Sequence, residues 1–206
     1  MGDLRDAVAD AAGRLAATNQ AREAGLAACR TVIRNSASAI RAVHLGQPDV
    51  VDARTADAAA ALAAARAALE PHPAVYHAGF LHDAAKEYVE ARVTAALVRG
   101  EHVPGPDELG VEPPAWLNGV AEAASELRRH ALDRLRDGRL DVAESLLDRM
   151  DAVFAELVAI DLPDAITGGL RRTLDALRAV IERTRGDITS AVLQYRLQQS
   201  IERHGR

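Results

Sequence analysis

Lysine is almost missing from this chain. Of 25 basic side chains only Lys86 is a lysine, and the rest are arginine. Aromatic residues are scarce as well, with two Phe, one Trp and three Tyr in 206 residues. A core without large rings must be aliphatic and finely spaced, which favours close helix packing over stacked sheets. There is one cysteine, Cys29, so neither an internal disulfide nor a cysteine-based zinc site can form, and a reducing, cytoplasmic setting is expected. Cys29 itself lies in an apolar context and reads as a small core residue. No run approaches the roughly 20 apolar residues that span a bilayer, and the charged, Ala-rich start does not read as a signal peptide. The expectation is a soluble protein with no membrane partner. The net charge of −5 gives no global attraction for nucleic acid, so any such binding must use a local basic stripe.

Motifs of several enzyme classes are missing too. There is no His-Glu-x-x-His. Ile166-Thr167-Gly168-Gly169 lacks the strand and lysine of a phosphate-binding loop, and no nucleophile elbow is visible. His72, His77 and His82 are five apart, which spreads them around a helix instead of stacking them as ligands.

What remains is strongly helix-forming: Ala, Leu, Arg, Glu and Asp with 3.6-residue periodicity and no sustained alternation. Breakers at Gly46 to Pro48, Pro71 to Pro73, Gly100 to Pro106, Gly110 to Pro114, Gly138, Pro163 to Gly169 and Gly186 divide the chain. They predict one long helix ending near His44, with possible breaks at Gly13 or Gly25. Further helices are predicted over Val51 to Leu69, Pro73 to Arg99, Pro114 to Arg136, Arg139 to Ala159, Asp164 to Arg185 and Asp187 to Glu202, the last capped by Asp187. The fold expected is an all-α, single-domain bundle of about six or seven helices over residues 1–206. Leu170, Leu174, Leu177, Ile181, Val192, Leu193 and Leu197 exceed what a small bundle must bury, which points to a homo-oligomer.

Two features carry chemistry. On the first helix Arg30, Arg34, Arg41 and His44 fall within roughly 80° on a wheel of 3.6 residues per turn. Such a stripe can follow a phosphate backbone, or it can be a solvated face. Further on, Glu87 and Glu90 are three apart and Glu122 and Glu126 four apart, so each pair shares a helix face. If the two helices are neighbours, these carboxylates can converge on a hard cation such as Mg²⁺. Spacing alone also describes acids on the solvent side of two amphipathic helices, with Glu122 and Glu126 opposite the apolar face formed by Trp116, Leu117, Val120, Ala124, Leu127 and Ala131.

Four segments, in order, resemble the translin/Trax family. Arg30 to Ser36 with Ile40 to His44 is similar to its first-helix pattern of Arg, Ser, an aliphatic residue and a closing His. Lys86-Glu87-Tyr88-Val89-Glu90-Ala91 resembles the Trax segment Gln-Glu-Tyr-Val-Glu-Ala. Trp116-Leu117-Asn118-Gly119-Val120 with Ser125-Glu126-Leu127-Arg128-Arg129 is similar to Tyr-Leu-x-Gly-Val followed by Gly/Ser-Glu-Leu. Asp164 to Arg172 with Asp175 looks like the family's Asn-Asp-x-Leu-Arg helix start. The resemblance covers about Arg30 to Leu197. It implies a translin-like helical subunit that builds octameric shells around single-stranded RNA or DNA. On the Trax branch it also implies an Mg²⁺-dependent endoribonuclease. The Trax acids carry over to Glu87, Glu90 and Glu122, with Glu126 as a nearby fourth catalytic candidate and Arg30, Arg34, Arg41 and His44 as nucleic-acid-binding residues. Glu122 departs from the family pattern, where Trax has Asp. The alternative that the resemblance implies is the translin branch, an oligomeric binder without catalysis. Few aromatics are available for base stacking, so weak sequence preference is expected on either branch.

Overall fold

A computed structural model of the protein describes residues 2–204, and every regular element among them is a helix. Six are long: α1 (Gly2–His44), α2 (Pro48–Leu69), α4 (Phe80–Arg99), α6 (Pro113–Arg136), α7 (Leu140–Val158) and α9 (Leu170–His204). Three are single turns: α3 (Pro73–Tyr76), α5 (Pro106–Leu109) and α8 (Asp164–Thr167). Prolines open several of them, since the first helical turn has no use for the missing N–H. Among the described residues no helix is long and apolar enough to cross a membrane.

The predicted boundaries need three corrections. The helix expected over Pro73 to Arg99 is interrupted, because Gly79 adopts φ +97°, a conformation open to glycine but not to the side chains of a continuing helix. The helix expected over Asp164 to Arg185 breaks at Gly168 and Gly169, with φ of +64° and +83°. Conversely, Gly186 breaks nothing. Helix α9 runs through it because Ile181, Thr184 and Ile188 on either side share one buried face, and that packing outweighs the roughly 1 kcal/mol helix cost of a glycine. Asp187 is therefore not a cap; its carboxylate lies 2.9 Å from the Arg128 guanidinium on α6.

Helix α6 is the central element. It packs against α4, α7 and α9, while α1 lies along α2 and α4. Leu62, Leu69, Val89, Val93, Leu127, Met150 and Leu177 form the heart of one continuous apolar cluster that draws on all these helices. Asn118, almost fully buried, ties α6 to its neighbours. Its Nδ2 donates to the carbonyls of Pro114 (2.9 Å) and Thr167 (2.8 Å), and its Oδ1 accepts from Thr173 Oγ1 (2.7 Å).

Of the apolar residues expected to exceed the core, Leu170, Leu174, Leu177 and Ile181 are buried within the subunit. The excess lies further along α9, at Leu193, Tyr195, Leu197 and Ile201, and at the start of α1, at Leu4, Val8 and Leu15, all exposed.

Two glycines mark the closest helix approaches. A Cβ on Gly25 would lie 2.7 Å from the Leu69 side chain, between α1 and α2. A Cβ on Gly119 would lie 2.7 Å from Val89 and 2.8 Å from the Lys86 carbonyl oxygen, where α6 crosses α4. The second contact involves backbone, so relief requires the helices to separate. Gly119→Ala should lower stability by about 1–3 kcal/mol, the usual range for overpacking. Gly13→Ala, with nothing within 4 Å of the new methyl, should raise it by roughly 0.5–1 kcal/mol. Urea unfolding followed by circular dichroism checks both, and equal, small effects at the two sites would refute the close crossing.

Candidate functional site

The α4–α6 crossing brings the predicted acids together. Gly119 touches Lys86 and Val89, and the carboxylates stand beside that contact: Glu90 follows Val89, Glu87 follows Lys86, and Glu122 lies one turn beyond Gly119. One carboxylate oxygen from each of Glu87, Glu90 and Glu122 lies within 4.8 Å of the others. The solvent-side placement that spacing allowed for Glu122 does not occur. Ala121, Ala123 and Ala124 beside it are buried, because α6 is covered on several sides, and Glu122 and Glu126 are both half-buried.

Two basic side chains enter the cluster. Lys86 Nζ donates to Glu122 Oε1 at 2.7 Å. His44, its side chain only 2% exposed, places Nε2 3.0 Å from Glu126 Oε2. His44 therefore points into the acidic cluster, whereas Arg30, Arg34 and Arg41 on the same helix are exposed. None of these three arginines forms an ion pair among the described residues. Arg41 is one turn from His44, so the basic stripe leads up to the carboxylates. Periodicity and spacing assign no site role to Lys86. The signal available was its position directly before Glu87 and its status as the only lysine.

The electrostatics divide the acids. Burial pushes the Glu90 carboxyl up, and the charges of Glu87, Glu122 and Glu126 push it further, to about 8. Burial also raises Glu87. Glu126 goes the other way: the hydrogen bond from His44 lowers it despite burial. Burial works against the Lys86 charge, but the Glu122 hydrogen bond and the surrounding carboxylates more than offset it and raise its pKa. The cluster thus holds one carboxylate fixed as an anion and one that favours its proton. A cation among these oxygens would relieve the repulsion.

Solved structures with the same architecture carry RNA in one instance. AfC3PO in complex with duplex RNA superposes with a TM-score of 0.84 and 32% identity, covering 91% of this chain and 97% of that one. A crystal structure of AfC3PO gives 0.82 and 31%, with the same coverage. Apo-NeC3PO shares the fold with a TM-score of 0.81 at 19% identity, covering 89% of this chain and 96% of that one. The chain belongs to the translin-like family to which C3PO belongs. Among curated sequences, an uncharacterized protein of Methanocaldococcus jannaschii is 26% identical over 126 residues, 61% of this chain and 56% of that protein, so the match spans little more than half of that relative. No protein-family model matches.

The raised Glu90 carboxyl sets a pH dependence for the metal-free protein. Between the ordinary carboxylate range and about pH 8, folded Glu90 holds a proton that the unfolded chain releases. The folded state binds more protons there, so stability falls as pH rises through that window. Glu90→Gln should remove most of this slope. At about 1.4 kcal/mol per pKa unit, its advantage in EDTA should grow between pH 5 and pH 8 to roughly 2–4 kcal/mol. Denaturant unfolding at several pH values checks this; parallel pH profiles for the two proteins would contradict it.

Proposed function

We propose that the protein binds RNA and cleaves single strands of it as an Mg²⁺-dependent endoribonuclease of the Trax type. The observation that carries the reading is the gathering of Glu87, Glu90 and Glu122 oxygens within 4.8 Å across the α4–α6 crossing, in a family whose member AfC3PO is seen with duplex RNA. The donor set suits a hard divalent cation: three carboxylates, no sulfur, and partial shielding from water.

Glu87, Glu90 and Glu122 would hold the ion. When bound, Mg²⁺ supplies Lewis-acid stabilisation of the charge that builds on the phosphate. Glu126 is held ionised and oriented by His44, which suits it to orient the attacking water by accepting its hydrogen bond. Arg30, Arg34 and Arg41 contact the backbone without reading sequence. The whole chain, 1–206, acts as one domain. Subunits associate as a homo-oligomer through the exposed apolar ends of α1 and α9, with the octamer of the translin/Trax resemblance as the expected size.

One observation favours the rival, a binder of RNA or single-stranded DNA without catalysis. Glu122 stands where Trax has Asp, and its extra methylene brings it onto Lys86, an internal cation that competes for its oxygen. The two readings separate on end-labelled single-stranded RNA incubated with Mg²⁺ or EDTA. The nuclease gives fragments only with Mg²⁺, and Glu90→Ala abolishes them while leaving the gel shift of intact RNA within about twofold. A shift with no fragments selects the binder. Replacing Arg30, Arg34 and Arg41 together by Ala should weaken binding by one to two orders of magnitude at low salt and flatten its salt dependence by about three phosphate contacts. Unchanged affinity would remove the stripe from the interface.

A further inference from the structure

The chain's only lysine is inside its acidic cluster. Lys86 Nζ lies 2.7 Å from Glu122 Oε1, and the charges of Glu87 and Glu90 are close enough to act on it as well. Elsewhere, basic side chains engage acids through guanidinium or imidazole. An ammonium is a compact point charge that can sit among oxygens in the manner of a metal ion, which a planar guanidinium does poorly. With Glu87, Glu90, Glu122 and Glu126 all ionised around a bound cation, the ammonium leaves three negative charges, and a single divalent cation offsets most of them. A second divalent ion would have to displace the ammonium from Glu122. Glu122 has the reach for this pairing because of its length, and the α4–α6 crossing at Gly119 puts Lys86 directly against α6.

We propose that Lys86 is a tethered cation of the carboxylate cluster that holds a Glu122 oxygen, so that each chain takes one divalent ion and not two. The proposal rests on the metal-binding reading of Glu87, Glu90 and Glu122 given above. Lys86 is a positioning residue here: it holds Glu122 and sets the metal stoichiometry.

Titrating the full-length protein with Mn²⁺, followed by electron paramagnetic resonance and calorimetry, tests it. Wild type should saturate at one Mn²⁺ per chain with an uncoupled spectrum. Lys86→Gln and Lys86→Met should each saturate at two, with the broadened spectrum of a spin-coupled pair. Circular dichroism and light scattering establish that each variant keeps its helicity and assembly. Two ions in wild type would overturn the proposal, as would one ion in both neutral variants, and neither result touches the metal-site reading. No binding by any of these proteins would overturn that reading together with the proposal.

Discussion

The close crossing of α4 and α6 is the constraint on which the site depends. At Gly119 the two helices approach until a single methyl would meet the Val89 side chain and the Lys86 backbone. Glutamates are long, and on helices a normal distance apart their carboxylates would drift into solvent and away from each other. With the backbones in contact, Glu87, Glu90 and Glu122 have no such freedom, and their repulsion becomes a property of the fold. The fold offsets this elsewhere. Asn118, the neighbour of Gly119, fastens α6 to α8 and α9 through one hydrogen bond each, and Arg128 fastens it again through Asp187. Apolar burial around α6 holds the strained electrostatics in place, as is usual where function sets charges against each other.

The helical class and most boundaries were legible in the sequence because periodicity and prolines act locally. The errors came where tertiary structure overrides local preference. Gly186 has the same intrinsic cost as Gly168 and Gly169, yet only the latter pair turns the chain, since Ile181, Thr184 and Ile188 bury a continuous face across Gly186. The site was half legible. Spacing put the acids on common faces, but an amphipathic reading assigns Glu122 to solvent, and it fails on a helix enclosed on several sides whose small residues belong to no single face. The family resemblance supplied the pairing of segments that spacing could not. His44 was grouped with the arginines by its helical phase, and its burial against Glu126 depends on a contact 82 residues away in sequence. Lys86 was invisible as a site residue for the same reason: its partner, Glu122, is on another helix.

The carboxylates of the cluster differ through their neighbours. Glu126 has a buried imidazole as donor and is held as an anion, while around Glu90 burial and the other carboxylates outweigh the charge of Lys86, and it retains its proton to about pH 8. Glu122 has Lys86. One short segment of α4 and one of α6 therefore carry three kinds of carboxylate. An aspartate in place of Glu122 would draw its carboxylate back by about one C–C bond, on the order of 1.5 Å, a change to which metal geometry is sensitive. Glu122 and the lysine before Glu87 are joined by one hydrogen bond, so a change at either position alters the setting of the other.

The same charges bear on how a phosphate chain approaches the protein. At net −5 the subunit as a whole repels RNA, and the unscreened acids of the cluster repel it most at the point where cleavage would occur. The exposed arginines of α1 provide attraction: Arg41 is one turn from His44, within about a Debye length at physiological salt, while Arg34 and Arg30 lie roughly 15 and 21 Å back along the helix from His44. Lys86 cancels part of the acidic field from inside, and a divalent ion would cancel most of the rest. Under the proposed function, the arginine stripe would retain the strand without metal, and seating of a phosphate at the carboxylates would require the cation. Backbone retention and entry into the site are then separate electrostatic events governed by different helices: α1 for the first, and the α4–α6 crossing for the second.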